Sequence, residues 1–273
     1  MSKKLILAAL MISASAEHCF GDILFDQSFS SGQTLTTYFN ATPTRDQFNS
    51  IATSGTGTVA SIVNDDLRFD RTLGANAGGF TRLALNNSGN FDAVKGTFTF
   101  NATGTAAATT AAVLWLGSGL STANSGPLNA NVHSRIGFNF TVGGFQVRDI
   151  GTGTNSTIFT SAQTFSWFVN NSGASLLYDA PDSTIASLAN DQWDIWSGGV
   201  RLLNGSATTA SQSITDVKFL VSSGTGTIDF DSFQLESITA VPEPTSLTLL
   251  GIAGCMGLAA RYRCHKSKKF ATA

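Results

Sequence analysis

The chain has 273 residues, of which 42% are hydrophobic and only 12% carry a charge. This composition supplies enough apolar surface for a packed core and excludes a long disordered polyelectrolyte. The formal net charge is −2, and the basic residues collect at the two ends and leave the middle acidic, which argues against a nucleic-acid partner because such proteins present a basic face.

The first residues have the three parts of a secretory signal peptide. Lys3-Lys4 supplies the positive charge, Leu5–Ile12 the short apolar core, and Ala14-Ser15-Ala16 a cleavage site of small residues. We predict a signal peptide over residues 1–16, with cleavage at its end or as late as residue 21. The alternative is a buried N-terminal helix. A cleaved signal peptide predicts that the rest of the chain functions outside the cytoplasm.

Residues 22–240 show the period of β-strands and not that of helices. Apolar and polar residues alternate over Gly96–Asn101 and Ile136–Val142, and the following Gly143-Gly144 indicates a hairpin. The region contains no cysteine, so it cannot depend on disulfide bonds and must fold around a hydrophobic core. We predict an all-β domain, an antiparallel β-sandwich of two sheets.

The last strand of this domain has a break in its alternation. Its apolar residues fall first on even and then on odd positions, and the pattern slips by one residue at Asp231-Ser232. A β-bulge at this point would return all of these apolar side chains to one side of the sheet. The closing strands and the opening segment Asp22–Phe29 resemble those of a concanavalin-A-like or carbohydrate-module jelly roll. The resemblance implies that architecture for the sandwich.

The C-terminal segment, residues 241–273, also has three parts. Pro242-Glu243-Pro244, within residues 241–246, ends the preceding strand because proline cannot donate to a strand ladder. Residues 247–260 are apolar or small apart from one threonine, and we predict a short transmembrane helix there. Such a helix would span about 21 Å, compared with a hydrocarbon core of about 30 Å. The basic end from Arg261 belongs on the cytoplasmic side, which agrees with the orientation that a cleaved signal peptide gives.

This order of motifs resembles the PEP-CTERM sorting domain of bacterial exported proteins. The match covers all three parts of the tail, although the basic end mixes Lys, His and Cys with Arg. The resemblance implies processing by an exosortase, a membrane transpeptidase-like enzyme, in an envelope that carries an exopolysaccharide matrix. The alternative is a plain membrane anchor. The residues that the resemblance assigns to the sorting signal are Pro242, Glu243, Pro244, Arg261 and Arg263.

Few residues of the domain have the chemistry of a catalytic or metal site. Its one histidine, His133, follows a predicted loop and is interpreted as a surface residue, and its one glutamate is Glu236. Asp229 and Asp231 share one face of a regular strand, where they would form an acid pair, a calcium site or simply a solvated sheet face. Asp65-Asp66 indicates a turn. We therefore predict no catalytic residue and no cofactor, with calcium as the only candidate ion.

The four tryptophans of the chain raise the question of sugar binding, because carbohydrate modules stack sugars on exposed aromatic rings. Trp193 and Trp196 lie beside Gly198-Gly199 and are the candidate glycan contacts, with packing inside the sheet as the alternative. Trp167 alternates with apolar neighbours and is predicted to lie in the core.

These patterns lead to one main functional hypothesis and two alternatives. The main one is an exported cell-surface or matrix protein, non-enzymatic and associated with exopolysaccharide or biofilm, whose partners are the export machinery and an exosortase. The membrane is a partner through the C-terminal helix before processing. The first alternative is a carbohydrate-binding module, and the second is a polysaccharide-degrading enzyme.

Overall fold

The computed structural model of the protein describes residues 21–74, 76–85, 91–105 and 110–238. The predicted signal peptide, the transmembrane segment and the sorting residues Pro242, Glu243, Pro244, Arg261 and Arg263 lie outside these ranges. The described residues include no helix of a length and hydropathy that would let it cross a membrane.

The described residues form short strands and single turns of 3-10 helix, at Leu35–Tyr38 and Asn129–Asn131. The strands, in chain order, are β1 (Ile23–Ser28), β2 (Ser50–Thr53), β3 (Thr58–Val63), β4 (Asp66–Arg71), β5 (Gly78–Arg82), β6 (Ala93–Gly104), β7 (Ala112–Gly117), β8 (Val132–Thr141), β9 (Gly144–Arg148), β10 (Gln163–Asn170), β11 (Leu176–Asp179), β12 (Ile185–Leu188), β13 (Gln192–Ser197), β14 (Val200–Ser206), β15 (Asp216–Val221) and β16 (Gly226–Ser237).

These strands form two large antiparallel sheets and one small hairpin. The larger sheet has eight strands in the order β14-β13-β10-β6-β16-β4-β3, and β1 pairs with β16 beside β4. The smaller sheet has six strands in the order β2-β5-β15-β7-β8-β9, and β11 pairs only with β12. The prediction of an all-β antiparallel architecture is confirmed, and so is the hairpin between β8 and β9, which turns through Gly143.

Aromatic rings from both sheets fill the space between them. The ring of Phe80 on β5 lies 5.2 Å from that of Phe230 on β16, and the ring of Phe138 on β8 lies 4.2 Å from that of Phe100 on β6. Trp167 is fully buried in the same core, as its alternation with apolar neighbours predicted. The main core is therefore a continuous layer between the sheets, and it forms without any disulfide bond in the described residues.

The bulge predicted in the last strand is present. The pairing of β16 with β6 shifts register between Phe230 and Phe233, and both of these rings are buried in the core. The extra residue lets β16 keep its apolar side chains inward along its whole length. The same strand therefore joins β6 on one side to β4 and then β1 on the other.

Candidate functional site

The β11–β12 hairpin covers one part of the outer face of the larger sheet. Tyr178 of β11 stacks on Phe168 of β10, with ring centroids 4.2 Å apart. Leu188 of β12 and Trp196 of β13 belong to the same buried cluster. The hairpin is therefore attached by a small apolar core of its own, separate from the layer between the sheets.

A buried carboxylate lies beneath this hairpin. Asp194 of β13 is 0% exposed and accepts hydrogen bonds from the Tyr178 hydroxyl at 2.6 Å and from Asn204 Nδ2 at 2.7 Å. Trp196 Nε1 donates to the Tyr178 hydroxyl at 3.1 Å, and Arg201 Nη1 lies 3.5 Å from Asp194 Oδ2. Burial raises the pKa of Tyr178, and the neighbouring carboxylate raises it further. The tyrosine therefore remains a neutral donor that joins the hairpin to the sheet.

The two tryptophans predicted as candidate glycan contacts are both packing residues. Trp193 and Trp196 are 1% and 5% exposed, so neither offers the open ring face on which a sugar stacks. Trp193 faces the main core and its Nε1 donates to the Ser206 carbonyl at 3.1 Å. Its ring fits because β14 has Gly205 opposite, where a Cβ would lie 2.2 Å from the ring. A glycan contact requires exposed rings, and the prediction that these two tryptophans are exposed is wrong.

The predicted acid pair lies on the outer face of the larger sheet beside a third carboxylate, that of Asp66. Asp229 forms a two-point ion pair with Arg68 of β4, at 2.7 Å and 3.2 Å, so both of its carboxylate oxygens are already engaged. Burial raises the pKa of Asp66, and the negative charges of Asp229 and Asp231 add to this effect. In the described part of the chain, no three His, Cys, Asp or Glu side chains are grouped to hold a metal ion. The predicted turn forms through Asn64-Asp65, and Asp66 begins β4.

His133 is buried in β8, and its interpretation as a surface residue is wrong. The predicted loop does precede it, as the 3-10 turn Asn129–Asn131, but β8 begins directly after that turn and includes His133. His133 Nδ1 lies 2.8 Å from Ser134 Oγ and Nε2 lies 3.3 Å from Asp191 Oδ1. Burial lowers the pKa of His133, and the hydrogen bond to Asp191 and its charge partly offset this. Ser134 is itself 0% exposed, so this Ser-His-Asp arrangement offers no accessible nucleophile.

The histidine cluster links three parts of the fold. Asp191, in the turn before β13, also accepts a hydrogen bond from the backbone N–H of Ser211 at 2.7 Å. The carbonyl of His133 accepts from the backbone N–H of Thr208 at 2.6 Å. The cluster therefore connects β8 of the smaller sheet to the segments that precede β13 and follow β14 in the larger sheet.

A loop between β7 and β8 covers part of the outer face of the smaller sheet. Lys218 of β15 is 1% exposed, and its Nζ donates to the Ser121 carbonyl at 2.7 Å. Asp216 of the same strand accepts from the backbone N–H of Leu120 at 2.9 Å. Burial lowers the pKa of Lys218. Neither residue was predicted from the sequence, although charged residues at alternate positions of the otherwise apolar strand β15 mark them.

The central outer face of the larger sheet, by contrast, carries polar side chains that are partly open to solvent. The ion pairs Lys95–Glu236, at 2.7 Å, and Arg68–Asp229 border it. The hydroxyls of Thr99 and Thr164 share a hydrogen bond of 2.8 Å. The other polar side chains between the two ion pairs make no hydrogen bond within the described residues. We name this set the polar strip, and its members are Thr97, Thr99 and Asn101 of β6, Thr164 and Ser166 of β10, and Gln234 of β16.

The two ends of the sandwich lie side by side. The backbone N–H of Ser237 donates to the Asp22 carbonyl at 2.9 Å, and the N–H of Asp22 donates to Ser237 Oγ at 2.8 Å. This contact extends the antiparallel pairing of β1 with β16. The chain therefore enters and leaves the sandwich at one corner.

No family model matches the chain, and no curated protein matches it. Among solved structures, it is similar to a carbohydrate esterase from the Shiga toxin-encoding bacteriophage phi24B, with 11% identity, 80% of this chain and 100% of that chain covered, and a TM-score of 0.47. It is also similar to a Bauhinia forficata lectin in complex with GalNAc, with 13% identity, 81% and 100% covered, and a TM-score of 0.44.

A third similar structure is that of a sialidase, with 10% identity and a TM-score of 0.45. The match covers 68% of this chain but only 16% of the sialidase. At these identities the likenesses concern the fold alone, and the two-sheet arrangement described here rests on the observed strand pairing.

Proposed function

We propose that this chain is an exported protein that an exosortase-type enzyme processes at its tail and that then remains at the cell surface or in the extracellular matrix. The observation that carries this proposal is the contact between Asp22 and Ser237. The signal peptide precedes that corner and the tail follows it, so both membrane-directed segments leave the sandwich at the same place. The domain can then be held at a membrane by one corner, and neither segment has to pass across the surface of the domain to reach that membrane.

The sandwich itself acts in this proposal as a non-enzymatic component. General acid–base catalysis requires side chains that reach a substrate. The histidine and serine of the buried cluster are 0% exposed, and the Asp229 carboxylate is engaged by Arg68. These contacts favour structural roles for the residues that a hydrolase would have to use.

Processing of the tail can be tested by mass spectrometry of the mature protein from a bacterial host that contains an exosortase. We expect no peptide from residues 261–273 in the mature form. Changing Pro242, Glu243 and Pro244 together to alanine should leave the full-length chain in the membrane, because the signal would no longer present an extended proline segment at the membrane boundary.

The control for this experiment is Pro43→Ala, which changes a proline outside the tail and should be processed like the wild type. If the wild type keeps its basic end at steady state and the triple variant behaves identically, the sorting proposal fails. A plain membrane anchor would then explain the tail.

A second candidate function is the binding of neutral polysaccharide by the polar strip. The strip offers partly exposed hydroxyl and amide groups, of which only the Thr99 and Thr164 hydroxyls hydrogen-bond to each other within the described residues, and its bordering charges are paired. Such groups can form hydrogen bonds with the hydroxyls of a sugar, since a sugar hydroxyl is both a donor and an acceptor. We therefore infer a neutral glycan as the ligand class that fits this face.

Replacing Asn101 and Gln234 together by alanine should weaken binding to a soluble neutral polysaccharide about thirtyfold, since each of the two lost hydrogen bonds contributes about 1 kcal/mol. Affinity electrophoresis against a panel of neutral and acidic polysaccharides measures the effect. Asn40→Ala, an exposed amide away from the strip, should bind like the wild type. Equal mobility of all three proteins at every polysaccharide concentration would contradict this function.

A further inference from the structure

Most of the arginine and lysine side chains of the domain are paired with a carboxylate or buried. Residues 22–240 contain more acidic than basic residues, so a carboxylate is available for most positive charges. Four basic side chains form ion pairs, namely those of Arg45, Arg68, Lys95 and Arg201. Three others are at most 2% exposed, namely those of Arg71, Arg82 and Lys218. The two that remain are Arg135 and Arg148, and both are partly open to solvent.

Arg135 and Arg148 lie on the outer face of the smaller sheet, on neighbouring strands. Arg148 of β9 is opposite Gly137 of β8, and Arg135 comes two residues before Gly137 on the same strand. Residues two apart in a strand share a face, and the intervening residues Ile136 and Phe138 belong to the main core. The two arginines are therefore diagonal neighbours, with Cα atoms about 7–8 Å apart, and their side chains point away from the core.

The acidic residue next to Arg148 is used by the turn that follows β9. Asp149 Oδ1 accepts a hydrogen bond from the backbone N–H of Gly151 at 2.8 Å, and Oδ2 accepts one from the Thr152 hydroxyl at 2.7 Å. In the same turn Gly153 has a φ of 78°, and a Cβ there would lie 3.3 Å from Arg148 Nη2. The turn therefore makes room for the guanidinium group of Arg148 but gives it no ion pair and no side-chain hydrogen bond within the described residues.

The guanidinium group of Arg135 has a neutral partner. Its Nη1 donates to Asn129 Oδ1 at 3.1 Å, and the carbonyl of Asn129 accepts from the Thr209 hydroxyl at 2.7 Å. An amide orients a guanidinium group without neutralising its charge. The chain from β6 to β10 contains no acidic residue other than Asp149, which is 4% exposed. Both positive charges are therefore uncompensated within the described part of this face.

An exposed amide lies beside Arg148. The backbone of Asn155 forms a β-bridge with that of Arg148, and Asn155 Oδ1 accepts a hydrogen bond from Asn139 Nδ2 at 2.9 Å. Asn155 Nδ2 is then a donor with no partner within the described residues. Guanidinium groups bind carboxylates through two parallel hydrogen bonds, and amides bind hydroxyls. We name Arg135, Arg148 and Asn155 together the arginine face.

We propose that the arginine face binds a carboxylated polysaccharide, with carboxylates at Arg135 and Arg148 and a sugar hydroxyl at Asn155. A polymer that repeats its carboxylates along the chain can engage both arginines at once, and the acidic remainder of the domain repels it toward this face. Nucleic acids and anionic membranes are held by larger basic clusters than two arginines. The site lies on the opposite side of the sandwich from the polar strip, and its function does not depend on processing of the tail.

Isothermal titration calorimetry with polygalacturonate tests this proposal, and the methyl ester of the same polymer is the matched ligand without charge. The full-length chain in mild detergent should bind polygalacturonate at low salt, and more weakly as salt is added. Arg135→Gln and Arg148→Gln should each weaken this binding about tenfold, since each removes a charge-assisted pair. Neither substitution should change binding of the methyl ester, and thermal unfolding should be nearly unchanged because both side chains reach the surface.

Two control variants separate the arginine face from other sites. Arg45→Gln removes the same charge from an exposed side chain that is paired with Asp46, and it should bind polygalacturonate like the wild type. The polar-strip variant, with Asn101 and Gln234 changed to alanine, should also bind polygalacturonate like the wild type. The basic end from Arg261 is present in every variant, so binding that survives loss of both face arginines measures its contribution.

Several outcomes would overturn the proposal. One is a wild-type chain that binds neither polygalacturonate nor alginate. Another is an Arg45→Gln variant that loses as much affinity as Arg135→Gln and Arg148→Gln, or an equal loss toward the methyl ester. Vesicles containing phosphatidylglycerol and double-stranded DNA are titrated in parallel. Tighter binding of either one that depends on the two face arginines would assign the face to a phosphate ligand and reject the polysaccharide.

Discussion

Asp194→Ala is expected to lower the free energy of unfolding by about 3–5 kcal/mol, the range for breaking a buried charged network by removing one partner. The variant leaves the buried Tyr178 hydroxyl without its acceptor beneath the hairpin and removes one of the two acceptors of the exposed Asn204 amide. Tyr178→Phe removes one donor and also the acceptor of Trp196 Nε1. It should lower the free energy of unfolding by a smaller amount, about 1.5–3 kcal/mol.

Urea unfolding monitored by tryptophan fluorescence measures both changes, since Trp193 and Trp196 flank Asp194 in the sequence. The control is Asp46→Ala, an exposed carboxylate whose ion pair with Arg45 is half open to solvent. It should change stability by less than about 0.5 kcal/mol. The double variant of Asp194 and Tyr178 should lose less than the sum of the single losses, because both remove the same hydrogen bond. Full additivity would show that the two side chains do not act together.

Acidification is expected to destabilise the sandwich through His133. Burial holds the pKa of this imidazole below its usual value of 6.5 in the folded state. The unfolded chain therefore binds a proton that the folded chain resists. The stability contributed by the neutral histidine is fully present above pH 6.5 and is lost as the pH falls through the folded-state pKa. The melting temperature should therefore fall as the pH is lowered from about 6.5 to about 5.

His133→Gln separates this effect from other titrations. The amide can keep hydrogen bonds to Ser134 and Asp191 but does not titrate, so the melting temperature of the variant should depend much less on pH in this window. Asp66 works in the opposite direction, because its raised pKa means that the folded state takes up a proton first. This contribution is common to both proteins and cancels in the difference. Identical pH profiles of wild type and variant would contradict a role for His133 as the acid-sensitive group.

The strand pattern of the domain was predictable because it is local. Alternation over Gly96–Asn101 and Ile136–Val142 assigned those segments to strands, and the slip at Asp231-Ser232 located a bulge that the pairing of β16 with β6 contains. A side chain's position in a period of two depends only on its neighbours in the chain. The same reasoning placed Trp167 in the core. The sequence alone also defines the motifs of the two ends, which lie outside the described residues.

Only the tertiary structure decided which outer faces are covered. A period of two indicates which residues share a face, but not which distant segment packs over it. Trp196 and Asp194 are buried because a hairpin formed by β11 and β12 lies over them, and His133 is buried because Asp191, 58 residues later, closes over it. The contact of Asp22 with Ser237 spans 215 residues. Such contacts depend on strand order across two sheets, and no local pattern of apolar and polar residues encodes that order.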